Sequence, residues 1–234
     1  MFAKDGPTFR ELVAQALSST EKGYDMLAPK FDATPFRTPD DVVAATLRDL
    51  EEVDDSIDLF CGTGAGLASL KRITKRRLVG VDFSQGMLDV AREHVGATKA
   101  KLELVKKDVF DVDERNAFDL VTCFGAFGHI LEEAEPRFVG LVRQLLRPGG
   151  RFVFVTAHEP PVLSRQYLVG RAFNAVMQAR NALFDPPFIM YYLTFLLPTA
   201  ERLLRWYGFD VRIDEGVFPK PWSALVRVVA TRSG

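Results

Sequence analysis

Apolar positions change their spacing near residue 55 of this 234-residue chain. Before that point they recur at helical intervals over residues 8–22 and 40–51. Three prolines within residues 23–39 exclude one continuous helix there. We therefore predict that residues 1–54 form a helical N-terminal segment, in which the proline-rich part is either a packed connector or a lid over a ligand.

From residue 55 onwards, short apolar runs alternate with helical patterns, as in successive β-α units. The predicted strands are residues 56–60, 78–82, 101–106, 118–124 and 151–156. The predicted helices between them are residues 67–73, 85–94 and 135–146. The turn Arg147-Pro148-Gly149-Gly150 is expected to stop the last of these helices. A helix over 199–206 and two strands over 208–214 and 223–231 complete the pattern, and the short loop between the two strands allows an antiparallel hairpin at the sheet edge. The pattern predicts an α/β fold for residues 55–234.

A glycine-rich turn follows the first predicted strand, at Cys61-Gly62-Thr63-Gly64-Ala65-Gly66. A strand, a tight glycine turn and a helix form a local geometry that binds anionic or nucleotide groups. Such a turn also occurs in ordinary strand-to-helix connections, so the surrounding sequence must decide whether this one binds a ligand. The next strand ends at Asp82, where a carboxylate can accept hydrogen bonds from both hydroxyls of a ribose.

Composition narrows the class of protein. Apolar residues make up 47% of the chain, which is enough for a large core, and the net charge of −1 gives no global attraction to nucleic acid or to an anionic membrane. Two cysteines without ligand spacing argue against a disulfide scaffold and a structural metal site. The first residues lack the apolar core of a signal peptide. We expect a reduced, cytoplasmic protein without a metal.

Five motifs, in order and in register, resemble those of the class I S-adenosylmethionine-dependent methyltransferases. They are Asp58-Leu59-Phe60-Cys61-Gly62-Thr63-Gly64; Gly80-Val81-Asp82-Phe83-Ser84 with Met87-Leu88; Lys107-Asp108-Val109-Phe110; Phe118-Asp119-Leu120-Val121; and Leu145-Leu146-Arg147-Pro148-Gly149-Gly150. The resemblance covers about residues 55–156. It implies a doubly wound, Rossmann-like, seven-stranded and mostly parallel sheet with an antiparallel last strand. It also implies S-adenosyl-L-methionine as cofactor and S-adenosyl-L-homocysteine as product. Phe60 departs from the family, which usually has a glycine at that position.

The resemblance assigns cofactor roles to matching positions. These positions are Asp58, Cys61, Gly62, Thr63, Gly64, Asp82, Phe83, Met87, Asp108, Val109 and Phe124. By this resemblance Asp82 would bind the ribose hydroxyls, Asp58 would lie near the amino group of the cofactor, and Asp108 would accept a hydrogen bond from the adenine amine. The alternatives are a solvated strand end for Asp82 and a turn residue for Asp108.

A hydroxyl or phenol acceptor would also need a general base, and histidine suits that role near neutral pH. His129 follows the fourth predicted strand and His158 follows the fifth, so both lie at the edge of the sheet where ligands bind. Both are candidate catalytic residues. The alternative for His129, which we favour, is a buried and hydrogen-bonded loop residue. Small apolar packing explains Cys61 and Cys123 more simply than nucleophilic catalysis does.

Residues 159–198 are more than a β-α crossover needs, and we predict a helical cap inserted there. The apolar run over 188–197 is too short to span a bilayer. It either completes the core, or roofs the acceptor pocket, or mediates dimerisation or shallow membrane contact. We favour the roof, with Tyr191, Tyr192 and Phe195 selecting a flat or apolar substrate and with Tyr24 and Arg37 contributing from the N-terminal segment. Asp185-Pro186-Pro187-Phe188 resembles an amine-gripping methyltransferase motif but follows the wrong strand, so we interpret it as a loop.

We therefore expect an enzyme that transfers a methyl group to a small, apolar or aromatic acceptor at oxygen, nitrogen or carbon. The partner would be a small molecule, with no nucleic acid and no stable membrane insertion, and the protein would be a monomer or a homodimer. Two alternatives stay open. One is a methyltransferase acting on RNA or protein, and the other is a catalytically silent S-adenosylmethionine-binding partner protein.

Overall fold

A computed structural model describes residues 6–234 of the chain. Residues 1–5, the beginning of the predicted N-terminal segment and of the stretch examined for a signal peptide, lie outside the described residues. Within the described part, no helix is both long enough and apolar enough to cross a membrane.

Seven strands form one sheet in the order β3-β2-β1-β4-β5-β7-β6. They are β1 (Val53–Leu59), β2 (Thr74–Asp82), β3 (Lys101–Lys106), β4 (Phe118–Cys123), β5 (Leu146–Ala157), β6 (Phe209–Asp214) and β7 (Leu225–Arg232). Strands β1 to β5 pair in parallel, whereas β7 is antiparallel to both β5 and β6. The predicted fold class and the edge hairpin are confirmed.

Eight α-helices are described, with short 3₁₀ turns between some of them. They are α1 (Phe9–Ala16), α2 (Thr20–Leu27), α3 (Asp40–Leu47), α4 (Ala65–Leu70), α5 (Gln85–Val95), α6 (Glu135–Leu145), α7 (Arg165–Leu183) and α8 (Leu197–Trp206). The 3₁₀ turns are Ala28–Ala33, Val109–Asp111, Phe127–His129 and Glu132–Ala134.

The central strands are buried on both faces because helices cover both sides of the sheet. In β5, Phe152 and Phe154 point into the apolar cluster that contains residues of α6 and α8, while Val153 points into the cluster with α3, α4 and α5. This alternation follows from the two-residue period of a strand. Ile57 of β1 and Leu120 of β4 are likewise fully buried, on opposite faces. The result is a doubly wound sheet whose ligand-binding edge is the carboxyl edge of β1, β2, β4 and β5.

Several predicted boundaries are corrected by the structure. The predicted helix over 8–22 is two helices, because Thr8 and Ser19 each cap a separate helix start. The sequence Arg147-Pro148-Gly149-Gly150 lies inside β5, where Gly149 at φ 78° accompanies a register shift against β4. In the predicted cap, α7 is helical as expected, but the apolar run that follows it is irregular.

A network of charged side chains ties β1 to its neighbours at the amino edge of the sheet. Asp55 is buried and contacts Arg76 of β2, and Arg147 of β5 lies 2.6 Å from both Asp55 and Asp119. Asp119 also accepts the Asp55 amide at 2.9 Å. The Arg76 hydrogen bond, with a smaller contribution from Arg147, lowers the pKa of Asp55. Every charge in this network therefore has a partner, and its role is to fix strand order.

The amino-edge network yields a stability prediction for Arg147→Met. We expect the free energy of unfolding at pH 7 to fall by roughly 1–3 kcal/mol, since two carboxylates lose a charged hydrogen-bond donor. The Asp55 contribution is present above the ordinary aspartate pKa of about 4 and is lost as the pH falls through the lowered folded value. Urea unfolding should therefore show a smaller difference between parent and variant at pH 3.5 than at pH 7.

Lys75→Met on β2 is the matched control. Its partner Glu52 lies 3.1 Å away, and both side chains are more than half exposed. Such a pair contributes less than about 0.5 kcal/mol. Equal decreases in the free energy of unfolding in the two variants would contradict the structural role given to Arg147.

Candidate functional site

A cavity of about 490 Å³ opens at the carboxyl edge of the sheet. Its walls combine strand ends with three segments from elsewhere in the chain. The strand ends contribute the last residues of β1, β2 and β5 and the residues that follow β1, β2 and β4, and the other walls come from residues 31–42, residues 190–196 and the β6–β7 connection. The volume lies in the range of small-molecule sites.

The glycine-rich turn enters the cavity in a backbone conformation that favours glycine. Gly62 has φ 51° and Gly64 has φ 87°, and Phe60 adopts φ 54° despite its side chain. A Cβ on Gly66 would lie 2.2 Å from Asp58 Oδ2, so only glycine lets α4 begin this close to that carboxylate. The sequence shows Gly66 as the third glycine of the turn, but it did not lead us to predict that this position must be glycine.

Two buried carboxylates line this cavity. Asp82 accepts hydrogen bonds from the Gly62 amide at 3.0 Å and from the Ser84 amide at 2.9 Å. Asp58 accepts one from the Thr122 hydroxyl at 2.6 Å. Burial raises the pKa of Asp58 to about 7 and that of Asp82 to about 6. Within residues 6–234 the hydrogen-bond donors to both carboxylates are neutral groups, so the site favours a cationic ligand.

Asp32 ties the N-terminal segment to the glycine-rich turn. Its Oδ1 accepts the Thr63 hydroxyl at 2.6 Å and lies 2.9 Å from Arg37 Nε. Arg37 Nε is buried and close enough for an ion pair, but it is not aligned for a hydrogen bond. His94 Nδ1 lies 3.0 Å from the Thr63 carbonyl oxygen and extends the same cluster. Arg37 thus lies in the cavity wall near a carboxylate.

Asp25 makes the second attachment of this segment. Its Oδ1 accepts the Ser84 hydroxyl at 2.6 Å and the Gly86 amide at 3.0 Å, both at the start of α5. A Cβ on Gly86 would lie 3.1 Å from the Asp25 carbonyl oxygen, so α2 packs closely on this helix start. The segment therefore covers the cavity directly above Asp82.

Tyr24 and His129 form a hydrogen-bonded pair in the cavity wall, in which Tyr24 is buried and His129 is half-buried. Tyr24 Oη lies 2.9 Å from His129 Nε2, and His129 Nδ1 lies 2.6 Å from the Ile189 carbonyl oxygen. Because a carbonyl only accepts, Nδ1 carries the proton and Nε2 accepts from the Tyr24 hydroxyl. Burial lowers the pKa of His129, and burial followed by the charge of Asp82 raises the pKa of Tyr24. At neutral pH the pair is uncharged.

The far wall is formed by irregular chain after α7. The Tyr191 amide donates to the Gly128 carbonyl at 2.8 Å, and a Cβ on Gly128 would lie 2.6 Å from the Tyr191 oxygen. Asn174 of α7 donates to the Tyr192 carbonyl and accepts from its amide, each at 2.8 Å. Helix α7 thereby holds Tyr191 and Tyr192 against the cavity.

Most of the predicted site residues meet at this cavity. Those that line it are Tyr24, Arg37, Asp58, Cys61, Gly62, Thr63, Asp82, Phe83, Met87, Phe124, His129, Tyr191 and Tyr192. Gly64 lies at the N-cap of α4, where an added Cβ would crowd Ala91. The carboxylate of Asp108 is exposed and caps a 3₁₀ turn through the Phe110 amide, as a turn residue does, and Val109 is buried in the core. The structure does not bring Asp108 or Val109 to the cavity.

Two other predicted residues are corrected. Phe195 is a core residue rather than a pocket residue, because it is fully buried and stacks on Phe127 at 4.7 Å. His158 is exposed, and its Nε2 lies 3.1 Å from Glu215 Oε1 instead of facing the cavity. Its position one residue after β5 turns the ring away, whereas Ala157 lines the cavity.

Some residues that line the cavity, or that attach its walls, had no signal in the sequence. Asp25 and Asp32 lie in the proline-rich connector, and Trp222 reaches the cavity from the β6–β7 connection. Each depends on contacts between segments far apart in the chain. Ser84 as a helix cap was the one local clue, because a capped helix start can accept an additional carboxylate.

Comparisons with known proteins agree on one family. A family model described as a methyltransferase domain matches residues 57–150. The chain is 31% identical over 173 residues to a demethylmenaquinone methyltransferase of Staphylococcus aureus (strain JH9), a match covering 68% of this chain and 69% of the relative. It is 36% identical over 126 residues to the corresponding protein of Clavibacter sepedonicus, covering 53% of this chain and 47% of the relative. The chain thus spans about half the length of this second relative.

Two solved structures show the same fold. The DhpI–SAH complex superimposes with a TM-score of 0.67 at 20% identity, over 97% of this chain and 99% of the other. Magnesium protoporphyrin IX methyltransferase from Synechocystis PCC 6803 with bound SAH gives a TM-score of 0.58 at 18% identity, over 83% and 81%. At these identities the likeness concerns the fold.

The hydrogen bonding of His129 yields a prediction that is independent of any ligand. We expect its imidazole to titrate below the ordinary histidine pKa of about 6.5, because burial disfavours the charged ring. The chemical shift of its Cε1 proton, followed by NMR from pH 5 to 8 and assigned by the loss of the signal in His129→Gln, measures this. A midpoint at or above the ordinary value would contradict the neutral pair with Tyr24.

Proposed function

The chain belongs to the class I S-adenosylmethionine-dependent methyltransferase family, and from that premise we propose that it binds S-adenosylmethionine and methylates a small aromatic acceptor. The observation that carries this proposal is the pair of buried carboxylates, Asp58 and Asp82, beside the glycine-rich turn in one cavity. The remaining walls of that cavity support the choice of acceptor.

The carboxylates that line the cavity fit a cationic cofactor. S-Adenosylmethionine has an ammonium and a sulfonium, and both charges complement carboxylates whose pKa values burial has raised. Asp58 would hold the ammonium, and Asp82 would accept hydrogen bonds from the ribose hydroxyls. Phe83 and Met87 line the same end of the cavity and offer apolar contacts for the adenine. The open space at Gly62, where a Cβ would meet nothing within 4 Å, leaves its backbone accessible to the ligand.

Bound there, the cofactor supplies a methyl group on a sulfonium, which is already activated for in-line displacement. The work of the protein is then alignment and exclusion of water. Phe124 lines the cavity, as do Tyr24 and Arg37 of the N-terminal segment, which covers part of it. The attachments of that segment through Asp25 and Asp32 hold this cover closed.

Tyr24 and His129 are the groups that we propose to move a proton from the acceptor. His129 Nε2 already accepts from the Tyr24 hydroxyl, and the Ile189 carbonyl fixes the tautomer that leaves Nε2 available. An acceptor hydroxyl next to Tyr24 can give its proton to the tyrosine oxygen while the tyrosine proton passes to His129. His158, which faces Glu215 in solvent, has no part in this proposal.

The acceptor end of the cavity is mainly aromatic and apolar. Its side chains include Phe36, Met190, Tyr191, Tyr192 and Trp222. Such walls favour a flat, weakly polar ring. Because the relatives are named for demethylmenaquinone, the reduced hydroquinone form of such a quinone is the first candidate. It carries the hydroxyl that loses a proton to Tyr24 as the methyl group is transferred, whereas the oxidised quinone has none.

An RNA acceptor finds less support. In the two basic runs that would suggest it, residues 71–77 and 99–107, several charges are paired with nearby carboxylates. Arg77 pairs with Glu103 and Glu114, and Lys106 pairs with Glu21. A phosphate backbone requires cations that are free to exchange their counterions.

The cofactor proposal predicts the effect of Asp82→Ala on binding. We expect the parent protein to bind S-adenosylmethionine, and the variant to bind at least about tenfold more weakly, about 1.4 kcal/mol or more. Isothermal calorimetry at pH 8 measures both. Asp89→Ala is the control, because Asp89 is an exposed carboxylate on the adjoining helix α5. Its affinity should equal that of the parent.

The pH dependence provides a further check of the same prediction. Protonation of Asp58 and Asp82, with pKa values of about 7 and 6, removes the charge that attracts the cofactor. Affinity should therefore fall as the pH is lowered from 8 to 5. No binding by the parent, or equal weakening in Asp82→Ala and Asp89→Ala, would contradict the proposal.

The acceptor proposal predicts methyl incorporation into a quinone-type acceptor. The assay offers demethylmenaquinone chemically reduced to its hydroquinone, a primary amine and an RNA with methyl-labelled cofactor, each with the parent protein. Tyr24→Phe should lower kcat about tenfold or more, within the usual range for a proton-transfer group, with little change in cofactor affinity. Tyr207→Phe is the matched control, since Tyr207 lies at the end of α8, away from the cavity. Label found in RNA alone would overturn the proposed acceptor class.

A further inference from the structure

Helix α7 presents an apolar surface to solvent. We call it the outer face of α7 and define it by seven large apolar side chains that are each at least 50% exposed. They are Val162 and Leu163 before the helix, Leu168, Val169, Val176 and Leu183 on it, and Phe184 directly after it. Surface apolar residues scattered singly need no explanation, but seven within one helix and its ends form a continuous patch.

The helical period places these residues on one side. At about 100° per residue, Leu168, Val169, Val176 and Leu183 fall within one broad stripe. Three exposed alanines, Ala172, Ala175 and Ala179, fill the gaps between them. The opposite side of α7 is the packed side, where Gly170 and Met177 are buried. Helix α7 therefore packs on the protein through a narrow side and exposes an apolar stripe to solvent.

The charges within this segment have one sign, and the exposed carboxylates Glu159 and Asp185 lie directly outside its two ends. Residues 160–184 contain three arginines and no aspartate or glutamate. Arg165 and Arg171 are exposed, and the helical period places Arg171 beside the apolar stripe and Arg165 at its amino end. Arg180 turns towards the protein, where it donates to the Ser18 and Pro186 carbonyls. The local excess of positive charge contrasts with the net charge of −1 for the whole chain.

The packed side of the same helix carries the wall of the cavity. Asn174 holds the backbone of Tyr192 through two hydrogen bonds, and Asn181 donates to the Tyr191 hydroxyl at 3.2 Å. A surface that contacts the outer face of α7 would therefore lie one helix diameter from the acceptor end of the cavity.

We propose that the outer face of α7 binds the surface of an anionic lipid bilayer. The apolar stripe enters the boundary between headgroups and acyl chains, and Arg165 and Arg171 contact the anionic headgroups. This is peripheral binding along the helix, without a membrane-spanning segment. A second copy of the chain fits less well, because pairing of two such faces brings Arg171 of each copy onto a surface without carboxylates between residues 160 and 184.

The proposal is tested by sedimentation of the full chain with vesicles, without cofactor or acceptor. Vesicles of phosphatidylcholine with phosphatidylglycerol supply the anionic surface, and pure phosphatidylcholine vesicles the neutral one. We expect binding to the anionic vesicles, reduced about fivefold or more by Val169→Gln/Val176→Gln and by Arg165→Gln/Arg171→Gln. Both pairs are exposed, and glutamine suits a helix, so folding should be retained. Unchanged thermal unfolding of the variants checks this.

Trp206→Gln is the matched control, because Trp206 is 85% exposed on α8. It should bind vesicles as the parent does. Absence of vesicle binding by the parent would overturn the proposal. So would a decrease in vesicle binding by Trp206→Gln equal to that of the two α7 variants. A parent that is dimeric by light scattering and becomes monomeric in Val169→Gln/Val176→Gln, without binding vesicles, would identify the face as an interface between copies. None of these readouts depends on methyl transfer, so failure here leaves the proposed function untouched.

Discussion

Two carboxylates buried at the carboxyl edge of the sheet are the constraint on which the rest of the site depends. Burying a carboxylate without a cation raises its pKa and costs free energy, because the charged form loses water. Asp58 and Asp82 meet that cost through neutral hydrogen-bond donors and through positions fixed by strands β1 and β2. Gly66 is required for the same reason, since any larger residue would displace Asp58.

The carboxylates at the two edges of the sheet differ in their partners and in their pKa values. At the amino edge, Asp55 and Asp119 are matched by Arg147, and Asp55 by Arg76 as well, and the pKa of Asp55 is lowered. At the carboxyl edge, buried carboxylates of the same chemistry have raised pKa values. The first edge contributes stability at neutral pH, while the second carries the carboxylates to which the proposed function assigns the cationic cofactor. Stability and binding are thus assigned to opposite ends of the same strands.

The cavity is closed by segments that the strands themselves do not supply. The N-terminal segment is attached through Asp25 to the start of α5 and through Asp32 to the glycine-rich turn. The pair of Tyr24 and His129 joins that segment to the loop after β4, and the Ile189 carbonyl joins both to the chain after α7. Because each attachment is a partly buried hydrogen bond between segments, the three segments stabilise one another. The outer face of α7 lies directly above this assembly, so the proposed membrane contact and the acceptor end share one helix.

The sequence by itself determined the sheet, the glycine-rich turn and the carboxylates at the strand ends. These features are local: strand period, turn residues and helix caps are set by residues a few positions apart, and strand ends of a parallel sheet meet at one edge. Only the tertiary structure decided that Phe195 belongs to the core, that His158 faces Glu215, and that Tyr24 binds His129. Those outcomes depend on side-chain directions and on contacts between residues up to about a hundred positions apart in the chain, 105 for Tyr24 and His129. No local pattern encodes such contacts, because they arise from how whole segments pack.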